Sequence, residues 1–202
     1  MKIICIGRNY AEHAQELGNE VPEKPVIFMK PDTAILKKGT DFYLPEFSDD
    51  IHYELEVVLK ISKGGKYIEE KNAAEYYNEI GLGIDFTARD LQTTLKGKGL
   101  PWELAKGFDG SAVVSKFFKK DNYDIRNLHF ALNKNKEKVQ DGDTAFMIFS
   151  PEKIIAFVSQ YFTLKAGDLI FTGTPAGVGK VAENDILEGF LEDKKVLHVR
   201  IQ

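Results

Sequence analysis

The chain lacks the features that staple, anchor or disorder a protein. Among 202 residues there is one cysteine, Cys5, so neither an intrachain disulfide nor a thiolate metal cage can form. Cys5 lies in the apolar run 3–6, which reads as a buried first strand, and a lone thiol there points to a cytoplasmic home. No uninterrupted apolar stretch exceeds five residues, as at 154–158, far short of the roughly 18 that a membrane span needs. The opening apolar residues meet Gly7 and Arg8 too soon for the core of a signal peptide. Seven prolines and 17 glycines are too few for a collagen-like or low-complexity chain. Positive charge is not in excess either: 27 basic residues face 31 acidic ones, a net charge of −4 with a pI near 5.7. A nucleic-acid binder needs a basic face. The lysines that cluster here, Lys116, Lys119 and Lys120 and then Lys134, Lys136 and Lys138, alternate with acidic and turn residues, as solvated loops do.

What is present is an ordinary globular balance, 43% hydrophobic and 29% charged residues, enough to bury a full core. No repeat, linker or biased segment divides the chain, so residues 1–202 read as one domain. Strand signals dominate. Residues 53–61 alternate, with Tyr53, Leu55, Val57, Leu59 and Ile61 on one face and Glu54, Glu56 and Lys60 on the other. Residues 80–86 place Ile80, Leu82, Ile84 and Phe86 inward and Gly81, Gly83 and Asp85 on an open face. Further strands are expected at 26–29, 127–132, 136–139, 168–172, 186–191 and 195–201, the last two joined by a hairpin tip at 192–194. Helices are few. One spans 10–17, opened by an Asn9–Glu12 capping box and stopped by Gly18. A second, 88–96, is capped by Thr87 with Asp90; a third, 151–162, starts at Ser150-Pro151; a weaker fourth covers 70–78. Many strands without regular strand–helix alternation define an α+β, mainly β domain.

Glu54 and Glu56 are two apart on a strand, so their carboxylates point the same way about 6–7 Å apart. Asp85, flanked by glycines on another strand, adds a third oxygen donor. Such a set suits Mg²⁺, Mn²⁺ or Ca²⁺ better than zinc, although a polar strand face turned to water would look the same. His52 shares that face, as a further ligand or a supporting group. His13 and Glu16 are neighbours on the first helix. A carboxylate beside an imidazole makes a general base, and an ordinary surface pair has the same spacing. Lys106, inside the apolar tract 100–108, either meets an anionic substrate or snorkels to solvent. The glycine-rich loop 172–179 fails both the P-loop and the dinucleotide patterns, leaving a small-anion loop as its functional reading. Nucleophile-elbow, zincin and EF-hand motifs are missing.

The order of these motifs resembles the fumarylacetoacetate hydrolase family, and within it the short acylpyruvase and oxaloacetate decarboxylase members. The resemblance runs from Gly7-Arg8-Asn9-Tyr10-Ala11-Glu12-His13 through Phe28-Met29-Lys30-Pro31 and His52-Tyr53-Glu54-Leu55-Glu56. It continues through 85–92, 102–106, Gln140-Asp141-Gly142-Asp143-Thr144 and Thr172-Gly173-Thr174-Pro175. It implies a mixed β-sandwich roll, usually a homodimer, with one Mg²⁺ or Mn²⁺ held by Glu54, Glu56 and Asp85. A small anionic 2-oxo acid would chelate that ion. Arg89, Gln92, Lys106 and Thr174 match positions that hold or support substrate, and His13 with Glu16 matches a water-activating dyad on a lid segment. The implied activity is metal-dependent hydrolysis of a carbon–carbon bond in a 3-acylpyruvate-type acid, with Lys106 neutralising developing charge. Decarboxylation or keto–enol tautomerisation of oxaloacetate on the same site is the alternative. A non-catalytic 2-oxo acid binding module is a third. The chain departs from longer members in having no extra N-terminal domain, and Glu103 and Gly107 differ from the residues expected beside the lysine. Neither nucleic acid nor membrane is an expected partner.

Overall fold

A computed structural model describes every residue except residue 19. Its centre is a mainly antiparallel sheet of seven strands. These are β1 (Ile3–Gly7), β2 (Val26–Lys30), β4 (Leu55–Ile61), β5 (Tyr77–Asp85), β7 (Ala112–Val114), β8 (Phe118–Lys119) and β11 (Leu169–Phe171). They run in the order β2-β1-β11-β4-β5-β7, with β8 also on β5, and only the β1–β11 pairing is parallel. A second sheet, β10-β9-β13-β14, is built from β9 (His129–Lys134), β10 (Glu137–Asp143), β13 (Ile186–Leu191) and β14 (Lys194–Arg200). A small third sheet joins β12 (Gly179–Lys180), β3 (Ile51–Tyr53) and β6 (Thr87–Ala88). The helices are α1 (Ala11–Glu16), α2 (Glu70–Ala73), α3 (Arg89–Gly97), α4 (Glu103–Lys106) and α5 (Pro151–Tyr161). The expected α+β, mainly β class is what forms. Among the described residues no helix is long and apolar enough to cross a membrane.

The central sheet is covered on both faces, and this decides where the site lies. Alternate residues of β1 feed two separate cores. Ile4 and Ile6 join the larger one with Val57, Leu59, Leu82 and Ile170, while Ile3 and Cys5 join a smaller one with Phe28, Val58 and Phe171. The half-polar strand expected over 53–61 is therefore corrected. Every residue of β4 except Lys60 is buried, and the strand ladder breaks at Glu54, between β3 and β4. The open face expected around Gly81 and Gly83 is likewise closed. A Cβ on Gly83 would lie 2.4 Å from the Phe171 ring, and one on Gly81 would meet Ser115. These glycines make room for neighbouring packing, not for a ligand.

Two caps differ from expectation. Asn9 does not cap α1; Tyr10 holds that position, with no side-chain bond. The buried Asn9 amide is committed elsewhere, donating to Phe149 O (3.0 Å) and Thr172 O (2.7 Å) and accepting from Phe149 N (2.7 Å). Nor does Thr87 cap α3, which starts after Ala88; the Thr87 hydroxyl turns inward to Lys106, and Asp90 accepts from Ser48 instead. The Ser150 cap of α5 forms as expected, accepting from Lys153 N. The helix expected over 70–78 is cut short because Tyr77 pairs with Ile61 and opens β5. Of the six clustered lysines, Lys119, Lys134 and Lys138 sit on strands β8, β9 and β10, while Lys116 and Lys120 lie outside strands and Lys136 is in a left-handed turn (φ 74°).

Candidate active site

The smaller core ends in charge. Glu56, two residues before Val58 on β4, faces the same side as Gly83 and Asp85 of β5, and Glu54 sits in the break that precedes β4. One oxygen from each of Glu54, Glu56 and Asp85 lies within 4.8 Å of the others, and all three residues are buried. The water-facing reading of these carboxylates is thereby excluded. Three cations balance them. Arg89 Nη2 donates to Glu54 Oε1 (2.5 Å), and Lys106 Nζ donates to Glu54 Oε2 and Asp85 Oδ2 (both 2.7 Å). Lys30 Nζ approaches Asp85 Oδ1 at 2.7 Å.

The neighbours pull the two glutamates in opposite directions. Burial works to raise the Glu54 carboxyl, but Lys106, Arg89 and His13 hold it well below the usual carboxylate range. Burial, then Asp85 and Glu54, push Glu56 well above that range; its one opposing donor is the Gly173 amide, 2.6 Å away. A buried set of three acidic oxygens in which Glu54 and Asp85 are paired with cations while Glu56 has only an amide donor suits a hard divalent ion. The triad can chelate one.

The snorkelling reading of Lys106 is corrected. The side chain neither snorkels nor stands free: it is buried, bonded to Glu54, Asp85 and Thr87 (2.6 Å), and its ammonium lies 5.0 Å over the Phe28 ring. Burial opposes its charge, yet Asp85 and Glu54 raise its pKa. His52 is not brought to the triad; its Nε2 bonds Asp50 at 3.0 Å, and burial followed by Arg89 lowers its pKa. Loop 172–179 offers no empty anion nest at Gly173, whose amide is already committed to Glu56. Gly173 has φ 101°, and a Cβ there would stand 2.6 Å from Asn9, so only glycine fits that close approach.

A cleft of about 420 Å³, solvent at its mouth included, opens onto this cluster. His13, Glu54, Glu56, Arg89, Gln92, Lys106 and Thr174 all line it. His13 is buried, with Nδ1 3.0 Å from Glu16 Oε2, and the other Glu16 oxygen accepts from the Gly177 amide at 3.0 Å. That second bond latches α1 to the glycine-rich loop, which an isolated surface pair would not do. Gln92 accepts from Arg89 (2.7 Å).

Two supporting residues, Lys30 and Gln140, lie in motifs that carry the resemblance, which gave neither of them a role. Lys30 is wholly enclosed, and Ser111 Oγ (2.9 Å) and the carbonyls of Ser111 and Lys106 accept from it. Gln140 accepts from Leu55 N (2.9 Å) and donates to Thr174 Oγ1 (2.8 Å) and Pro175 O (3.0 Å), bracing the Glu54 break against the loop. What Lys30 does there shows only in its full burial, which emerges after folding.

The fumarylacetoacetate (FAA) hydrolase C-terminal family matches residues 2–202. The chain belongs to this family. Like the catalytic members it matches, it is an enzyme. The mitochondrial oxaloacetate tautomerase FAHD1 of Bos taurus is 44% identical over 187 residues, covering 92% of this chain and 85% of that protein. The mitochondrial oxaloacetate decarboxylase of Dictyostelium discoideum is 41% identical over 189 residues, 93% of this chain and 87% of that one. The crystal structure of fumarylpyruvate hydrolase from Pseudomonas aeruginosa, in complex with Mn²⁺ and pyruvate, superposes with a TM-score of 0.94. It is 34% identical, covering all of this chain and 89% of that one. The cytoplasmic expectation is corrected by these relatives, since both similar oxaloacetate enzymes are mitochondrial. A single buried thiol is compatible with any reducing compartment.

Proposed function

We propose that this family member catalyses keto–enol tautomerisation of oxaloacetate, as a single catalytic domain over residues 1–202. The observation that carries this reading is that His13, paired with Glu16, opens on the same cleft as Glu54 and Glu56 of the buried carboxylate triad. Its 44% identity to an oxaloacetate tautomerase supports the choice of substrate. Glu54, Glu56 and Asp85 would hold the ion, Mg²⁺ or Mn²⁺, which when bound supplies Lewis-acid withdrawal of charge from the 2-oxo acid.

The chain's own groups do the rest. Tautomerisation moves one proton from C3 to the C2 oxygen. Glu16 fixes Nδ1 of His13, which leaves Nε2 to take the C3 proton and deliver it to the C2 oxygen, or the reverse in ketonisation, the role an imidazole suits near neutral pH. Gln92 and Thr174 present N–H and O–H donors to the substrate oxygens, Lys106 supplies positive charge beside them while its N–H groups hold Glu54, Asp85 and Thr87, and Arg89 keeps Glu54 ionised and in place. Hydrolysis of acylpyruvates is the second reading, favoured by the fumarylpyruvate hydrolase likeness and by a base equally able to deprotonate water.

The test is to mix enol-oxaloacetate with protein and Mg²⁺ and follow loss of enol absorbance, with acetylpyruvate run in parallel and products identified. Accelerated ketonisation is expected; cleavage of acetylpyruvate without it would move the assignment to hydrolase. The reading includes a homodimer, supported by exposed Tyr43, Phe47, Leu104 and Tyr161, which light scattering at micromolar concentration checks.

A further inference from the structure

The cleft carries two cations that the chemistry so far leaves unused. Arg8 and Lys96 line it together with Arg89, Gln92, Glu54 and Glu56, and both are half-buried. Lys96 is no accident of a solvated helix. Arg89, Gln92 and Lys96 are three and seven residues apart on α3, so they form one polar stripe turned to the cleft. Arg8 follows the last residue of β1 with φ 59°, a left-handed conformation that disfavours any side chain and clusters at functional sites. Burial and then the charges of Arg8 and Arg89 lower the Lys96 ammonium, so these cations repel one another across the cleft. Like charges gathered at a cleft and held on a strained backbone suit an anion that enters between them.

We propose that Arg8 and Lys96 form a seat for the second carboxylate of a dicarboxylic 2-oxo acid. This deepens the reading above and rests on it. Oxaloacetate and acetylpyruvate are isosteres that differ at C4 only by O⁻ against CH₃. The metal ligands and His13 meet the end the two acids share. A seat of two cations meets the end where they differ, and so selects oxaloacetate. Each lost charge-assisted contact to a buried carboxylate weakens binding by roughly ten- to a hundredfold.

The experiment uses Arg8→Gln, Lys96→Gln and the double variant. Calorimetry with Mg²⁺ alone and with oxalate, which is too short to reach the seat, should give affinities within about twofold of wild type. Affinity for 3,3-difluoro-oxaloacetate, a dicarboxylate that cannot enolise, should fall about tenfold or more in each single variant. The kcat/KM ratio of oxaloacetate to acetylpyruvate should fall by a similar factor, mainly through KM. Equal losses on both substrates, or unchanged difluoro-oxaloacetate binding, overturn the seat. If wild type fails to tautomerise oxaloacetate, the functional reading fails, while the binding measurements still decide the seat by themselves.

Discussion

Asp168 and Glu56 are both carboxylates buried against the central sheet, and their surroundings could hardly differ more. Asp168 stands just before β11, where its oxygens accept from Lys2 N (2.9 Å) and Lys165 N (2.8 Å) and pair with Lys2 Nζ at 2.5 Å. Burial works against its charge, but these donors hold its carboxyl below the ordinary aspartate value. Glu56 has a single amide donor and two carboxylates beside it, and is pushed up. A carboxylate that serves the fold is given every donor it can accept. One left short of donors among its own kind is held ready for something that the chain itself does not supply.

The sharpest way to break this contrast is to neutralise the deprived side. Glu56→Gln or Asp85→Asn should cost about a thousandfold or more in turnover, because the ion's contribution is several kcal/mol. The protein should stay folded, and the rise in Tm that Mg²⁺ gives wild type should vanish; a variant that keeps that rise refutes the triad as the metal seat. Next in size is His13→Ala, which should lower kcat by about 10²–10⁴-fold with little change in KM, and Glu16→Gln should lower it less. Stopped-flow measurement at saturating Mg²⁺ reads both, and an unimpaired His13→Ala would return the pair to a mere surface contact.

Lys30→Met takes from Asp85 one of its two cations, leaving the buried Oδ1 without one, and should cost about 3 kcal/mol in urea unfolding. Pairing it with Asp85→Asn should recover part of that loss; a purely additive double variant would mean that the lysine matters by packing alone. The smallest effect is expected at Asp168. Asp168→Asn should cost about 1–3 kcal/mol at pH 7 and leave turnover unchanged. Its sign with pH is fixed. A depressed folded-state pKa stabilises above the ordinary aspartate value, and that stabilisation fades as pH falls through the folded value. Wild type should therefore lose stability into acid faster than the variant, as urea midpoints at pH 7 and pH 3 will show.

Legibility in the sequence followed distance along the chain. His13 with Glu16 is set by the helix period, and Glu54 with Glu56 by a two-residue spacing that survives the break in the ladder at Glu54, so both juxtapositions are visible before folding. Gly83 misled because its reason, the Phe171 ring, lies on another strand. Asn9 and Thr87 carried sound capping signals, but tertiary partners outbid them: Thr172 lies 163 residues from Asn9. Gln140 reaches its partner Leu55 across 85 residues, and Lys30 bonds the Ser111 hydroxyl across 81. The mainly β class was readable from alternation alone. That the central sheet has two buried faces was not, because β4 mixes the polar and apolar residues of a half-exposed strand while burying nearly all of them.

The parallel pairing of β1 with β11 also dictates the order in which the molecule can assemble. Lys2 and Asp168 meet across 166 residues, so during synthesis β1 has only β2 beside it until β11 has left the ribosome. Contacts of such separation form slowly and leave strand edges open to other chains in the meantime. The same late step brings Thr172 to Asn9 and the Gly173 amide to Glu56. The acidic pocket therefore comes into being only near the end of folding, and a nascent chain has no finished place in which to trap a metal ion.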